Sequence, residues 1–421
     1  MINIRQFVFW GLDFLKGGSI RKNYNEIKKN ESLTREKYLN EILDYAVEHV
    51  PFYKNGHYKS FTDFPIINKP IFKREGARCI SDEYPNYESL YKVKTSGSTG
   101  TPLVVYLDHK KRQRVIADLL VINDRIGWTL GSHYVFLRNW TSNYQQSKLS
   151  KIAKNFKAVG VGDFSDIKKA ELYTYLLEHK NTILVGYSSS VCDFMDWIKR
   201  TGRNAQTLRL KLIHCSAEEL LEYKRKELRE IFACPVYNRY SNEEIGLIAM
   251  MMDDSEVFLV NTASIRVELL KLDKDEYVQP GEIGRVVITD LLNHAMPIIR
   301  YDVGDLAISN DKSDDVKTIT KLCGRSADVL YAPGGILIGS TTLAAVAEVF
   351  PNIEKWQFAQ VSDERFEFRY VGNLTGTEKN ELKERLQMSI GKFAFCEIIE
   401  QQNIPLCKNG KYKTLVNENN K

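Results

Sequence analysis

Apolar positions in this 421-residue chain fall into two rhythms, and their succession outlines an α/β protein. After Gly17-Gly18 comes a polar stretch that reads as helical only from about Ser32, where Leu39, Ile42, Leu43, Ala46 and Val50 recur at helical spacing until Pro51 stops them. Leu90–Val93 and Leu103–Leu107 are short β-prone runs on either side of a polar loop. Val115, Ile116, Leu119, Leu120 and Ile122 predict a helix over 109–126, ended by Gly127, and Val135-Phe136-Leu137 reads as a buried strand. Two strand–turn–helix units follow. Ile183–Val185 leads through Gly186 into a helix to Thr201, with Ser188, Ser189 and Ser190 placed to cap it; Leu212–Cys215 leads through Ser216 into a helix over 217–232. From Pro235 the rhythm turns to strands, at 236–237, 257–260, 265–270, 284–289, 298–301 and 306–308. Beyond Cys323-Gly324-Arg325 a fresh α+β pattern begins, with strands at 329–331, 336–338, 355–359 and 365–370 and helices at 341–349 and 378–389. The expected architecture is a large domain over 1–324, with sheets flanked by helices, and a small α+β domain over 325–421.

Composition adds boundaries rather than detail. Hydrophobic residues make up 43% and charged residues 27%, values of an ordinary globular chain. A net charge of +5 spread along the sequence argues against nucleic acid as a partner and suits an anionic small molecule. The seven cysteines form no CxxC pair and no zinc spacing, so reduced thiols and a cytoplasmic location are expected. Charges interrupt the apolar N-terminus Ile4–Lys16, so secretion is not expected; the segment reads as an amphipathic helix, either packed on its own domain, the preferred reading, or lying on a membrane surface or partner. Lys148, Lys151, Lys154 and Lys157 form a basic stripe, read first as a solvated face.

The densest candidate chemistry is the loop Lys94-Thr95-Ser96-Gly97-Ser98-Thr99-Gly100-Thr101-Pro102-Leu103. Gly97 and Gly100 let several N–H groups converge on one anion, and the hydroxyls add donors around the same point. It is not a Walker A loop, since no Gly-Lys-Ser/Thr ends it and no helix follows directly. Taken alone it is equally a polar hairpin turn. Four more islands lie downstream: Tyr240–Gly246, with an aromatic four residues before Glu244; Arg300-Tyr301-Asp302-Val303-Gly304-Asp305, read as a strand ending in a Gly and a carboxylate; Gly324-Arg325-Ser326-Ala327-Asp328, followed by Gly334-Gly335; and Pro405–Lys413, which includes Lys411. Each alone has a structural explanation, as a turn cap, a surface pair or a basic tail.

In this order the islands resemble the adenylate-forming (acyl-AMP) superfamily. Within it the chain is similar to the phenylacetate–CoA ligases and to the CapK-type proteins of polysaccharide clusters. Tyr45–Tyr53 and Asp63-Phe64-Pro65-Ile66-Ile67-Asn68-Lys69 carry the same resemblance, which covers about residues 24–416. It implies an ATP-dependent carboxylate-activating ligase with a mobile C-terminal domain. Thr95, Ser96, Gly97, Ser98, Thr99, Gly100 and Thr101 would hold the β/γ-phosphates, and Glu244 would help hold Mg²⁺. Tyr240 would lie against the adenine, Ser216-Ala217-Glu218 would border its pocket, Asp305 would accept from the ribose hydroxyls, and Arg325 would contact ribose or phosphate. Lys411 would bridge carboxylate and α-phosphate. Ala327 and Asp328 would form the hinge, and Gly335 would lie near the acceptor tunnel. Trp140, Gly186, Tyr187 and Ser188 are acid-pocket candidates from their place between motifs.

Three positions depart from the pattern: Ala327 stands where relatives carry a polar hinge residue, Ser216 replaces a Gly, and Leu103 replaces a polar residue. The resemblance leaves the acceptor open between CoA and an amine or hydroxyl on an amino acid or sugar, with capsule or other surface-polysaccharide biosynthesis as a setting. It also leaves open a monomer or a homodimer. The alternative from another class is a non-catalytic nucleotide-binding scaffold of a polysaccharide assembly, against which Lys411 and Glu244 both speak. A Ser- or Cys-based acyltransferase is weaker, because Cys192 and Cys215 lie in apolar contexts and His214, adjacent to Cys215, points to the opposite side of a strand.

Overall fold

A computed structural model describes residues 4–29, 32–94, 103–140, 147–252, 255–326, 330–333, 336–391, 394–406 and 412–419. Its largest sheet has eight strands in the order Thr318–Ile319, Phe258–Val260, Gly246–Met251, Val236–Asn242, Leu212–Ser216, Ile183–Tyr187, Tyr134–Arg138, Phe156–Gly160. The five strands from Val236–Asn242 to Phe156–Gly160 run parallel. Ile183–Tyr187 and Leu212–Ser216 are buried at every position, which is why they read as continuous apolar runs rather than alternating ones. Their carboxyl ends lie level: Tyr187 pairs with Ser216, and Ser216 with Arg239. In open parallel sheets this edge is where ligands bind.

A second sheet of five strands is built around Tyr301–Ile308. Ile283–Asp290 lies on one side of it, while Ile67–Asn68, parallel, and Lys321–Arg325, antiparallel, share the other. The strand begins at Tyr301 and runs unbroken through Gly304 and Asp305, so the two short strands expected at 298–301 and 306–308 are one. Gly304 sits at φ +77°, a conformation that lets the chain pass through the motif without ending the strand.

Arg300, just before it, also has a positive φ, +49°, which an arginine adopts only when its surroundings hold it there. They do. Its buried guanidinium bonds the Glu268 carboxylate at 2.9 and 3.2 Å and the carbonyls of Thr62 and Phe64 at 2.7 and 3.1 Å. Arg300 thus staples the segment before Ile67 onto the sheet.

Other expectations meet local overrides. The polar stretch after Gly18 is itself a helix, Ser19–Lys29. Its start is capped by the buried carboxylate of Asp13, which accepts from the Ile20 and Arg21 amides. The helix expected from Ala217 starts at Glu222, because Ala217 turns to φ +69°. The strands Gly246–Met251, Phe395–Glu400 and Leu415–Asn417 were not foreseen from pattern. The lysine stripe is divided: its helix ends at Lys154, and Lys157 lies in the next strand with its ammonium over the Tyr175 ring. Tyr91–Lys94 and Val104–Leu107 pair as a hairpin across the hydroxyl-rich loop.

Residues between Leu330 and Leu415 carry their own hydrophobic cluster, including Phe358, Phe366, Phe368, Leu382 and Leu386, against which Leu221 and Tyr223 also pack. A four-stranded sheet, Phe395–Glu400, Arg365–Gly372, Ile353–Gln360, Leu415–Asn417, lies within it.

Because Glu268→Ala leaves the Arg300 charge buried without its counter-ion, it should lower unfolding free energy in urea by about 3–5 kcal/mol. Replacing both partners by apolar side chains should recover only part of that loss, because the Thr62 and Phe64 carbonyls then lose their donor.

Candidate active site

The carboxyl edge of the large sheet and the motif strand Tyr301–Ile308 meet at one cluster. Tyr240, near the end of its strand, donates its hydroxyl to Asp305 Oδ2 at 2.7 Å. Asp305 Oδ1 lies 3.3 Å from Arg325 Nε, and the two residues face each other across paired strands. Burial raises the Tyr240 phenol well above its ordinary range, and the adjacent Asp305 charge adds to it, so Tyr240 stays a donor. Three residues that are 65 and 20 positions apart in sequence therefore form one relay.

Glu244 sits beside it, in the turn between Val236–Asn242 and Gly246–Met251. Its carboxylate is buried and accepts from the Tyr301 hydroxyl at 3.3 Å. Burial raises its pKa, while the charges of Lys69 and Arg325 act the other way. The Lys69 ammonium shows the reciprocal effect: burial lowers its pKa and Glu244 opposes this. Lys69 and Tyr301 were not among the expected site residues. The signal was present, since Lys69 closes the motif 63–69 and Tyr301 lies inside Arg300–Asp305. What pattern could not show is that Ile67 pairs with Tyr301 and so brings the two motifs together.

A second group lies along the same edge. Arg138 follows Leu137, which pairs with Gly186, so Arg138, Tyr187, Ser216 and Arg239 occupy one row on one face of the sheet. Burial and the neighbouring Arg138 charge push the Arg239 guanidinium down to about 10. Its Nε is buried with no hydrogen-bond partner among the described residues. Trp140 flanks this end of the sheet; its indole donates to the Val159 carbonyl at 3.2 Å, and its ring stacks near Phe156. Gly186 is required by packing: a Cβ there would come within 2.9 Å of Leu137 Cβ. An open surface groove of about 570 Å³, lined by Lys157, Ile167, Glu171 and Tyr175, lies elsewhere and holds none of these residues.

The segment after Ser216 is put to a different use from the one its sequence suggests. Ser188, Ser189 and Ser190 do not cap their helix with their own hydroxyls. Glu218 caps it, accepting from the Ser189 amide at 2.9 Å, while its other oxygen accepts from the Tyr412 amide at 2.9 Å. Ser188 Oγ donates to the Glu218 carbonyl. Glu219 accepts from Ser340 Oγ at 2.8 Å, and burial raises its pKa. Two consecutive acids thus join the sheet edge to the C-terminal cluster. This explains why the helix starts late: continuing it back to Ala217 would turn both carboxylates away from these partners.

Thr95, Ser96, Gly97, Ser98, Thr99, Gly100, Thr101, Ala327, Asp328, Gly335 and Lys411 lie outside the described residues. The thiol chemistry weighed above finds no support, because burial raises both the Cys192 and Cys215 thiols and His214 is held neutral by burial. Among the described residues no cluster of three or more His, Cys, Asp or Glu could hold a metal.

No family model matches the chain. It is 24% identical over 358 residues to a phenylacetate-coenzyme A ligase of Thermus thermophilus, covering 77% of this chain and 78% of that one. It is 22% identical over 316 residues to a phenylacetate-coenzyme A ligase of Pseudomonas putida, covering 69% and 70%. Among solved structures it matches 2-hydroxyisobutyryl-CoA ligase in the postadenylation state, bound to an acyl-AMP, with a TM-score of 0.69 at 18% identity over 90% of this chain and 88% of that one. Against the same enzyme in the thioesterification state the TM-score is 0.55 at 20% identity, over 93% and 90%.

Removing the Glu218 carboxylate should loosen the chain around Tyr412 without disturbing the sheet. In Glu218→Ala, amide hydrogen exchange across 412–417 should rise by about tenfold or more, while peptides from 212–216 stay protected.

Proposed function

From its place in the adenylate-forming superfamily beside the phenylacetate–CoA ligases, we propose that this chain activates a carboxylic acid with ATP and passes the acyl group to CoA. A carboxylate oxygen attacks the α-phosphorus, the bond to pyrophosphate breaks, and pyrophosphate leaves; the CoA thiol then attacks the acyl carbonyl and AMP leaves. An amine or sugar hydroxyl as acceptor, in a polysaccharide setting, is the finer variant. The single observation that carries the reading is the Tyr240–Asp305–Arg325 relay standing next to Glu244 at the sheet's carboxyl edge.

Each side chain then has a task suited to its chemistry. Asp305 engages Tyr240 and Arg325 yet keeps lone-pair capacity for the ribose hydroxyls, since a carboxylate offers about four acceptor sites. The Tyr240 hydroxyl holds Asp305 in orientation, leaving its ring for the adenine. Arg325, always charged and more than half exposed, reaches toward ribose or phosphate. Thr95–Thr101 cradles the β/γ-phosphates, and Lys411 offsets the repulsion between the two reacting anions. Glu244 suits Mg²⁺, which takes one or two carboxylates and completes its shell with phosphate oxygens, so a lone buried carboxylate fits. The ion would neutralise charge on the leaving pyrophosphate. In this reading 1–324 supplies the nucleotide site, and 325–421, turning about Ala327 and Asp328, supplies Lys411. Gly335 would then border the acceptor's path. Arg239, whose buried Nε has no hydrogen-bond partner among the described residues, supports an acid that bears a second anionic or strongly polar group beyond the reacting carboxylate.

Acid-dependent exchange of pyrophosphate into ATP tests the reading across aromatic, aliphatic, dicarboxylic, amino and uronic acids. Lys411→Ala and Glu244→Gln should each lower exchange by about two to three orders of magnitude. Nucleotide binding by calorimetry with no exchange for any acid would favour the scaffold reading instead. Arg239→Ala should raise KM about tenfold or more for acids with a second anionic group and leave simple aliphatic acids unchanged.

A further inference from the structure

The helix α1 (Ile4–Leu15) is amphipathic the wrong way round for a helix that only packs on its own protein. Ile4, Phe7, Phe14 and Leu15 are each between 73% and 80% exposed, and Val8 and Leu12 are exposed as well. At 3.6 residues per turn these six side chains and Gly11 fall on one continuous face. The opposite face carries Gln6, Trp10 and Asp13, and it is turned inward. Asp13 is buried as the cap of the next helix, α2 (Ser19–Lys29), and Trp10 packs edge-on against Tyr24 with Arg21 over its ring. α2 in turn is fixed to the body, through Tyr24 and Ile27 against Ala117 and Val121 and through the Arg114–Glu26 ion pair. The apolar stripe is therefore presented outward on a secured platform.

The charges around it are one-sided. Arg5, Lys16, Arg21, Lys22, Lys28 and Lys29 are all exposed. The two acids between residues 4 and 29 are committed: Asp13 is buried, and Glu26 pairs with Arg114. Large aromatic and aliphatic side chains next to cations without exposed carboxylates match the interface of an anionic bilayer, where the apolar face enters the acyl boundary and the cations meet phosphates. Twelve residues span only about 18 Å, short of the hydrocarbon thickness of about 30 Å, so the helix would lie in the interface rather than cross it. From this we infer that α1, with the cations of α2, docks the protein on an anionic membrane surface. A second copy of the chain is a poorer occupant, because it would bring the same six positive charges to a shared apolar contact.

Flotation of the full-length protein with lipid vesicles tests this without any acid substrate, so its outcome is independent of the proposed ligase activity. The protein should float with phosphatidylcholine vesicles containing about one-third phosphatidylglycerol, and about tenfold less with phosphatidylcholine alone or in high salt. The double variant Phe7→Glu/Phe14→Glu should abolish flotation, and Lys22→Glu/Lys29→Glu should weaken it, with thermal unfolding unchanged in both because these side chains are exposed. Failure of the wild type to float with anionic vesicles would overturn the assignment. A concentration-dependent dimer that Phe7→Glu/Phe14→Glu converts to monomer, with no vesicle binding, would give the face to a second copy instead.

Discussion

The buried contact between Arg300 and Glu268 places the part of the candidate site around Glu244 and Asp305. Arg300 is held at a positive φ by that carboxylate and by two carbonyls from a segment more than 230 residues earlier. Its backbone sets where Tyr301–Ile308 begins, and its side chain sets where the chain before Ile67 lies. Ile67 then pairs with Tyr301, Lys69 comes to Glu244, and four residues after Tyr301 Asp305 meets Tyr240. A charge buried this deeply contributes little net stability against an apolar pair of the same size. Its value here is positional, since a single arginine satisfies one carboxylate and two carbonyls that no apolar side chain could bring together.

The join between the sheet edge and the C-terminal cluster rests on equally few groups. Glu218 holds the Ser189 and Tyr412 amides, Glu219 holds the Ser340 hydroxyl, and Tyr223 lies against the cluster with its hydroxyl 3.4 Å from the Trp356 indole nitrogen. The join is largely polar: two carboxylates accept two amides and a hydroxyl, and Leu221 and Tyr223 add apolar contact. Glu218 does two jobs with its two oxygens, so the helix start at Ser189 and the chain at Tyr412 are coupled through one side chain.

Much of the framework was legible in the residue pattern because periodicity and burial are local consequences of sequence. The apolar runs at 183–185 and 212–215, the helix over 109–126 and the motif islands all emerged from spacing alone. The failures have specific causes. Ser19–Lys29 reads as too polar for a helix until Asp13 caps it and Tyr24 and Ile27 find partners on another helix. Gly304 reads as a strand end, yet its positive φ is what lets the strand continue. Leu415–Asn417 is three residues long and is a strand only because Ile353–Gln360 offers it an edge.

By itself the sequence determined the α/β class, the order of the motifs and the residue types available for anion and nucleotide chemistry, since these follow from side-chain identity and near-neighbour spacing. Only the tertiary structure decided who meets whom. It gave Tyr240 to Asp305, Lys69 to Glu244, Glu218 to Tyr412, and turned the apolar face of α1 outward. Such contacts join residues tens to hundreds of positions apart, and their geometry is set by strand register and buried charge, neither of which leaves a periodic trace in the chain.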